Sequence, residues 1–178
     1  MQHEFIISGF GGQGVLFTGK VLAYSGLEKE MEVTWFPSYG PEMRGGTANC
    51  TVIISDEEIG SPLVSKPRAA IVMNQPSLDK YEALVQPGGV MVVNTSLTNR
   101  PAARKDITVV SVAGTALAEE LGEKRLANLV MLGALAAKAD FVSLEMLEAG
   151  LRKALEGGKS TMLEVNLKAL HKGAQAAQ

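Results

Sequence analysis

The sequence predicts an α/β fold, a three-layer open, mostly parallel (mixed) sheet with helices on both faces and a helical C-terminal third. Three observations predict it. Ala69–Met73, Val90–Val93 and Ile107–Val112 are short continuous apolar runs of the kind buried on both faces of a parallel sheet. Segments of helical spacing or turn composition separate them. From Thr115 onward the apolar residues keep a helical period throughout.

In chain order, residues 4–8 form a β-rich run that ends in glycines. Val15–Leu27 then carries Leu16, Ala23 and Leu27 on one helical face. Val33–Phe36 and Ala48–Ile54 are strand candidates on either side of a long glycine- and proline-bearing connector, an arrangement that adds an antiparallel member to the sheet. A helix is predicted from an N-cap at Ser77 to about Val85, where Pro87-Gly88-Gly89 stops it. The last third reads as helices over Thr115–Leu121, Leu126–Ala139, Ser143–Leu155 and Ser160 to about Lys172, with a tail from Gly173 that is expected to fray. Six strands and one domain over residues 1–178 are the expectation, since that length buries a core without staples.

Composition excludes several function classes. The longest apolar stretch, Leu126–Ala137, is interrupted by Asn128 and Gly133 and is too short to span a bilayer, so a membrane role is not expected. Met1 leads directly into strand-like residues without the basic and apolar regions of a secretory signal, which predicts a cytoplasmic protein. Seventeen Lys and Arg against nineteen Asp and Glu, with no basic run, argue against nucleic-acid binding. The single cysteine, Cys50, cannot hold an iron–sulfur cluster alone, and inside an apolar strand it reads as a buried, inert thiol. His3 and His171, at opposite ends of the sequence, read as surface residues rather than metal ligands.

Two glycine-bearing segments carry the candidate chemistry. Gly9-Phe10-Gly11-Gly12-Gln13-Gly14 matches G-x-G-x-x-G between a strand and a helix. Gly9 would permit the tight turn, Gly11 a close ligand approach, and Gly14 closure of the helix onto the strand. A dinucleotide site also needs a carboxylate at the end of the second strand, but that strand ends Trp35-Phe36-Pro37-Ser38-Tyr39. Dinucleotide binding and a turn needed only for packing both stay open here. The second segment, Trp35 to Cys50, places Arg44 beside Gly45-Gly46 and near Glu42. A guanidinium fork there is a candidate clamp for carboxylate or phosphate; the alternative is an Arg paired with Glu42 or solvated. The apolar surface around Trp35 and Phe36 implies a protein partner and, in isolation, is a candidate for self-association.

Together, Gly9-Phe10-Gly11-Gly12-Gln13-Gly14-Val15, Phe36-Pro37-Ser38-Tyr39-Gly40-Pro41-Glu42-Met43-Arg44-Gly45-Gly46 and Asn128-Leu129-Val130-Met131-Leu132-Gly133-Ala134 resemble the gamma subunit, or gamma domain, of the 2-oxoacid:ferredoxin oxidoreductases. The resemblance covers nearly the whole chain, and the spelling of Tyr39–Asn49 looks more like the 2-oxoglutarate enzymes than the pyruvate enzymes. It implies an enzyme subunit, inactive alone, in a complex that converts a 2-oxoacid and coenzyme A to acyl-CoA and carbon dioxide with electrons passing to ferredoxin. It implies partner alpha, beta and, where present, delta chains holding thiamine diphosphate, magnesium and iron–sulfur clusters, with no cofactor bound by this chain alone. By the same resemblance, no catalytic residue lies on this chain. Arg44, Glu42, Gly45 and Gly46 would meet the substrate or coenzyme A, and Gly9, Gly11, Gly12, Gln13 and Gly14 would wall the cofactor pocket. Gamma subunits specific for pyruvate, 2-oxoisovalerate or indolepyruvate are the alternatives within the family; a free-standing dinucleotide-binding protein and a packing module are those outside it.

Overall fold

The computed structural model describes residues 1–38, 47–158 and 160–177. Six strands, β1 (Gln2–Phe10), β2 (Glu32–Ser38), β3 (Thr47–Ser55), β4 (Ala69–Val72), β5 (Val90–Asn94) and β6 (Thr108–Val112), form one sheet in the order β2-β3-β1-β4-β5-β6. β1, β4, β5 and β6 are parallel, and β3 is antiparallel to both of its neighbours. The expected mixed sheet is therefore present, and the antiparallel member is β3, inserted between β1 and β2. β1 extends beyond residues 4–8 at both ends because β3 pairs with its whole length, from Gln2 opposite Ser55 to Phe10 opposite Thr47.

Six helices cover the sheet: α1 (Val15–Leu27), α2 (Gln75–Tyr81), α3 (Gly114–Glu120), α4 (Ala127–Ala136), α5 (Leu144–Ala154) and α6 (Ser160–Ala176). Strand alternation sends Phe5, Ile7, Val52, Ile54, Ile71 and Val92 to the face packed by α1, α4 and α5. Ile6, Ala70, Val72, Met91 and Val93 face the other way, against Leu78 and Tyr81 of α2. Each such side chain, once fully buried, contributes about 1.5–3 kcal/mol. No described helix is long and apolar enough to cross a membrane.

Several local expectations are corrected. The cap of α2 is Asn74 rather than Ser77: its side chain accepts the Ser77 N–H at 3.0 Å, and Pro76 fits the first turn, where no N–H is required. At α5 the cap is Ser143, which accepts the Met146 N–H at 3.1 Å. The tail does not fray at Gly173, because α6 runs on to Ala176 with Ala174 and Ala177 buried. His3 is not a surface residue. It is 9% exposed and stacks on Phe141 with ring centroids 4.8 Å apart, and its Nδ1 has no partner among the described residues. Burial, reinforced by the Arg68 guanidinium, lowers its pKa and keeps the ring neutral. His171 lies at the surface and pairs with Glu148 at 2.7 Å.

Trp35 and Phe36 do not form a continuous patch. Adjacent in β2, they point to opposite faces of the sheet. Trp35, 37% exposed, leans on α1 where a Cβ on Gly19 would lie 2.9 Å from its Nε1, whereas Phe36 is 54% exposed.

Candidate functional site

β1, β4, β5 and β6 end on one rim, and each ending carries a polar side chain or a turn just beyond its apolar run. Ser8, Asn74, Asn94 and Thr115 gather there. Ser8 Oγ lies 2.9 Å from Ser77 Oγ, Asn94 Nδ2 donates to the Met73 carbonyl at 3.1 Å and to Thr115 Oγ1 at 3.0 Å, and the Thr115 N–H donates to Asn94 Oδ1 at 3.3 Å. The chain leaves β1 toward α1 on one face and leaves β4 toward α2 on the other. The β1/β4 boundary is thus the point where successive connections diverge, the place in an open α/β sheet where a crevice forms beyond the strand ends.

The glycine turn is held by its own polar atoms. Gln13 N–H donates to the Phe10 carbonyl at 3.1 Å, and Gln13 Oε1 accepts the Phe10 N–H at 2.6 Å and Asn74 Nδ2 at 3.2 Å. Gln13 therefore ties the turn after β1 to the turn after β4, a role beyond the expected wall. Gly9 is also recast: it lies inside β1 opposite Ala48, and its missing side chain leaves room for Gln13 Oε1 and for Met73 Cβ, which an added Cβ would approach to 2.6 and 2.8 Å. The tight turn falls later, at Gly12 and Gly14, both with positive φ, while Gly11 and Gly12 are solvent-exposed.

Gly14 fixes the start of α1. Its φ of 73° is a left-handed conformation, and its carbonyl accepts Asn128 Nδ2 at 3.2 Å and Thr18 Oγ1 at 2.9 Å. An alanine there pays about 1–2 kcal/mol for the left-handed conformation. Its Cβ would also press on the Asn128 amide, with Cγ at 2.9 Å. Gly14→Ala is expected to lower stability by about 2 kcal/mol, read by urea denaturation, whereas Gly60→Ala, in open space, should change little.

Arg44, Glu42, Gly45 and Gly46 lie outside the described residues. The residues that bracket them do not. Thr47 pairs with Phe10, and Ser38 pairs with Asn49 in the neighbouring ladder. The second segment thus leaves and re-enters the sheet at the rim that carries the glycine turn, with stems roughly one strand spacing, about 4.8 Å, apart from that turn's own strand.

Geometry argues against the dinucleotide reading. The insertion of β3 moves β2 away from β1, and the nearest acid on β2, Glu32, opposes Ser55 at the far rim. No carboxylate at the end of β2 stands where ribose hydroxyls would need one.

Two hollows flank Gly12. A crevice of about 260 Å³ between the β1 and β4 turns is lined by Gln13, Met73, Thr115, Lys124 and Arg125, and a cleft of about 450 Å³ on the other side is walled by Phe17, Leu126, Asn128, Met162 and Arg125. Asn74, Asn94, Thr115 and Asn128 escaped the sequence reading as site residues. The available signal was an Asn directly after each of two buried strands and one inside an otherwise apolar helix. No group of three or more metal-ligating side chains gathers among the described residues.

Cys50 lies on the helix-covered face, fully buried, with its thiol directed at the Val15 carbonyl at 3.5 Å. Burial pushes its pKa up to about 12, so thiolate is negligible near neutrality. Cys50 should resist iodoacetamide in the folded chain and react once the chain is unfolded in guanidinium; fast labelling of the native protein would contradict this.

Comparison with known proteins agrees with the architecture. The family model described as pyruvate ferredoxin/flavodoxin oxidoreductase matches residues 4–176. The ketoisovalerate oxidoreductase subunit VorA of Methanothermobacter marburgensis is 38% identical over 97% of this chain, which spans 36% of that protein. The 2-oxoglutarate synthase subunit KorC of Methanocaldococcus jannaschii is 36% identical over 100% of this chain and 95% of its own length. Among solved structures, the gamma subunit of keto/oxoacid ferredoxin oxidoreductase from Geobacter sulfurreducens superimposes with a TM-score of 0.86 at 28% identity, covering 99% of this chain and 97% of that one. The glycine turn, the inserted antiparallel strand and the match along nearly the whole sequence lead to one assignment: the chain belongs to the pyruvate ferredoxin/flavodoxin oxidoreductase family.

Proposed function

We propose that this chain is the gamma subunit of a thiamine-diphosphate-dependent 2-oxoacid:ferredoxin oxidoreductase acting on 2-oxoglutarate, and that it shapes the approach of substrate and coenzyme A to a site completed by other subunits. The observation that carries the reading is the common rim of the two glycine-bearing segments, since Phe10 and Thr47 are paired neighbours. Similarity to a separate 2-oxoglutarate synthase subunit over nearly its full length supports the 2-oxoglutarate branch. A second reading, 2-oxoisovalerate as substrate, is favoured by the 38% identity to a ketoisovalerate oxidoreductase subunit.

In this reading, alpha and beta chains hold thiamine diphosphate and magnesium, and iron–sulfur clusters on the beta or delta chain pass electrons to ferredoxin. Thiamine diphosphate supplies the electron sink for decarboxylation. This chain supplies position and charge. Arg44 pairs with the distal carboxylate of 2-oxoglutarate or a phosphate of coenzyme A; Glu42 stands beside it, and Gly45 and Gly46 leave room for the ligand. The exposed Gly11 and Gly12 let the ligand approach backbone N–H groups, and Gln13 keeps the turn in register. Water exclusion and orientation, rather than proton transfer, are what these residues offer.

Purification of the complex from its host by a tag on this chain tests the reading. Thiamine- and iron–sulfur-bearing chains should accompany it in fixed proportion. Recovery of the chain alone, with a nucleotide bound, would contradict it.

A further inference from the structure

The crevice between the β1 and β4 turns presents hydrogen-bond donors almost exclusively, and the reason lies in bonds made behind it. A backbone N–H requires an acceptor, so the Phe10 N–H at 2.6 Å fixes the Gln13 amide with its oxygen inward; Asn74 Nδ2 uses the same oxygen. Gln13 Nε2 is left with no acceptor among the described residues. Thr115 Oγ1 likewise spends acceptor capacity on Asn94 Nδ2 at 3.0 Å. Its hydroxyl proton has no acceptor among the described residues. At the mouth stand two cations, Lys124 and Arg125. Lys124 makes no ion pair among the described residues. Arg125 is engaged by Glu123 through Nε and Nη2, both at 3.1 Å, which leaves Nη1 available. Glu123 itself lines the adjoining cleft rather than the crevice, so its charge offsets one cation without placing a carboxylate in the hollow.

We infer that this crevice binds an oxyanionic group, a phosphate or a carboxylate, at the end of a small molecule. Gln13 Nε2 and the Thr115 hydroxyl donate at its floor, and Lys124 and Arg125 neutralise it at the mouth. An acceptor-only group satisfies all four, whereas a neutral ligand leaves two buried-side donors and a positive charge without counterparts. The volume of about 260 Å³ falls below that of whole-ligand pockets, roughly 300–1,000 Å³, so it suits a head group. The remainder of such a molecule has room across Gly12, in the more apolar cleft that shares Arg125. The crevice is built by this chain alone. The inference therefore goes beyond the subunit assignment and does not depend on it.

Amide chemical-shift titration of the full chain tests it, with inorganic pyrophosphate and succinate added separately. Shifts centred on Gly12, Gln13 and Thr115 are expected with at least one, and the tighter of the two identifies the oxyanion class. Lys124→Gln combined with Arg125→Gln, both exposed in the native chain, should weaken binding at least tenfold. Gln13→Glu keeps the inward oxygen and shape but exchanges the donor for a charged acceptor, so it should abolish the shifts while the rest of the spectrum stays native. Absence of shifts at these residues with both anions, or shifts that persist in Gln13→Glu, overturns the inference. Neither outcome bears on whether partner subunits are activated by this chain.

Discussion

Replacement of Arg44 by alanine is expected to raise the apparent Michaelis constant for 2-oxoglutarate or for coenzyme A by about 10- to 100-fold in the reconstituted complex. A hydrogen bond to a charged group is worth about 1.5–3 kcal/mol, and each 1.4 kcal/mol corresponds to roughly a factor of ten. The loss should fall on one ligand, since one guanidinium fork pairs with one anion at a time. Arg44→Lys should sit between the two, because it keeps the charge and loses the two-pronged geometry. An unchanged constant for both ligands in Arg44→Ala would remove Arg44 from the site and leave the Lys124 and Arg125 crevice untouched.

The largest effect on stability is expected from Gly133→Ala in α4. A Cβ there would run into the Leu170 carbonyl of α6, with the carbonyl carbon at 2.7 Å, so the two helix backbones must separate. Gly173 repeats the contact from α6, where a Cβ would lie 2.6 Å from the Val130 carbonyl carbon. Alanine gains about 1 kcal/mol of helix propensity over glycine. Overpacking typically costs 1–3 kcal/mol, occasionally more, and here the clash is with main chain, which cannot rotate away. The packing term wins. A net loss of about 3 kcal/mol is expected, or a fall in Tm of roughly 6–12 °C for a chain of this size. Gly122→Ala, with open space around it, provides the contrast, limited to the cost of its φ of 88°.

What the sequence disclosed and what it concealed divide along a physical line. Strands β4, β5 and β6 were legible because burial on both faces makes them continuously apolar, and helix α5 because Ser143 caps a stripe of Leu144, Leu147 and Leu151. The glycine turn was legible as a motif, but the work of its members was not. Gly9 lies in a strand and Gln13 bridges two turns, and both facts depend on Asn74, Met73 and Ala48, which are remote in sequence. His3 was misread for the same reason, since its burial comes from Phe141. The cap of α2 was misplaced by three residues because Ser77 and Asn74 both suit an N-cap, and only Pro76 at the first turn favours the earlier start. The rim amides Asn94 and Asn128 act through partners that no local pattern reveals.

The central claim is that this chain finishes a catalytic site whose cofactor sits on other polypeptides. The direct measurement is the rate of 2-oxoglutarate- and coenzyme A-dependent ferredoxin reduction by purified alpha and beta chains, with any delta chain, before and after this chain is added. Restoration of turnover in proportion to added chain, saturating at a fixed stoichiometry, is the predicted result. Full turnover without it, or none after a stable complex has formed, contradicts the account.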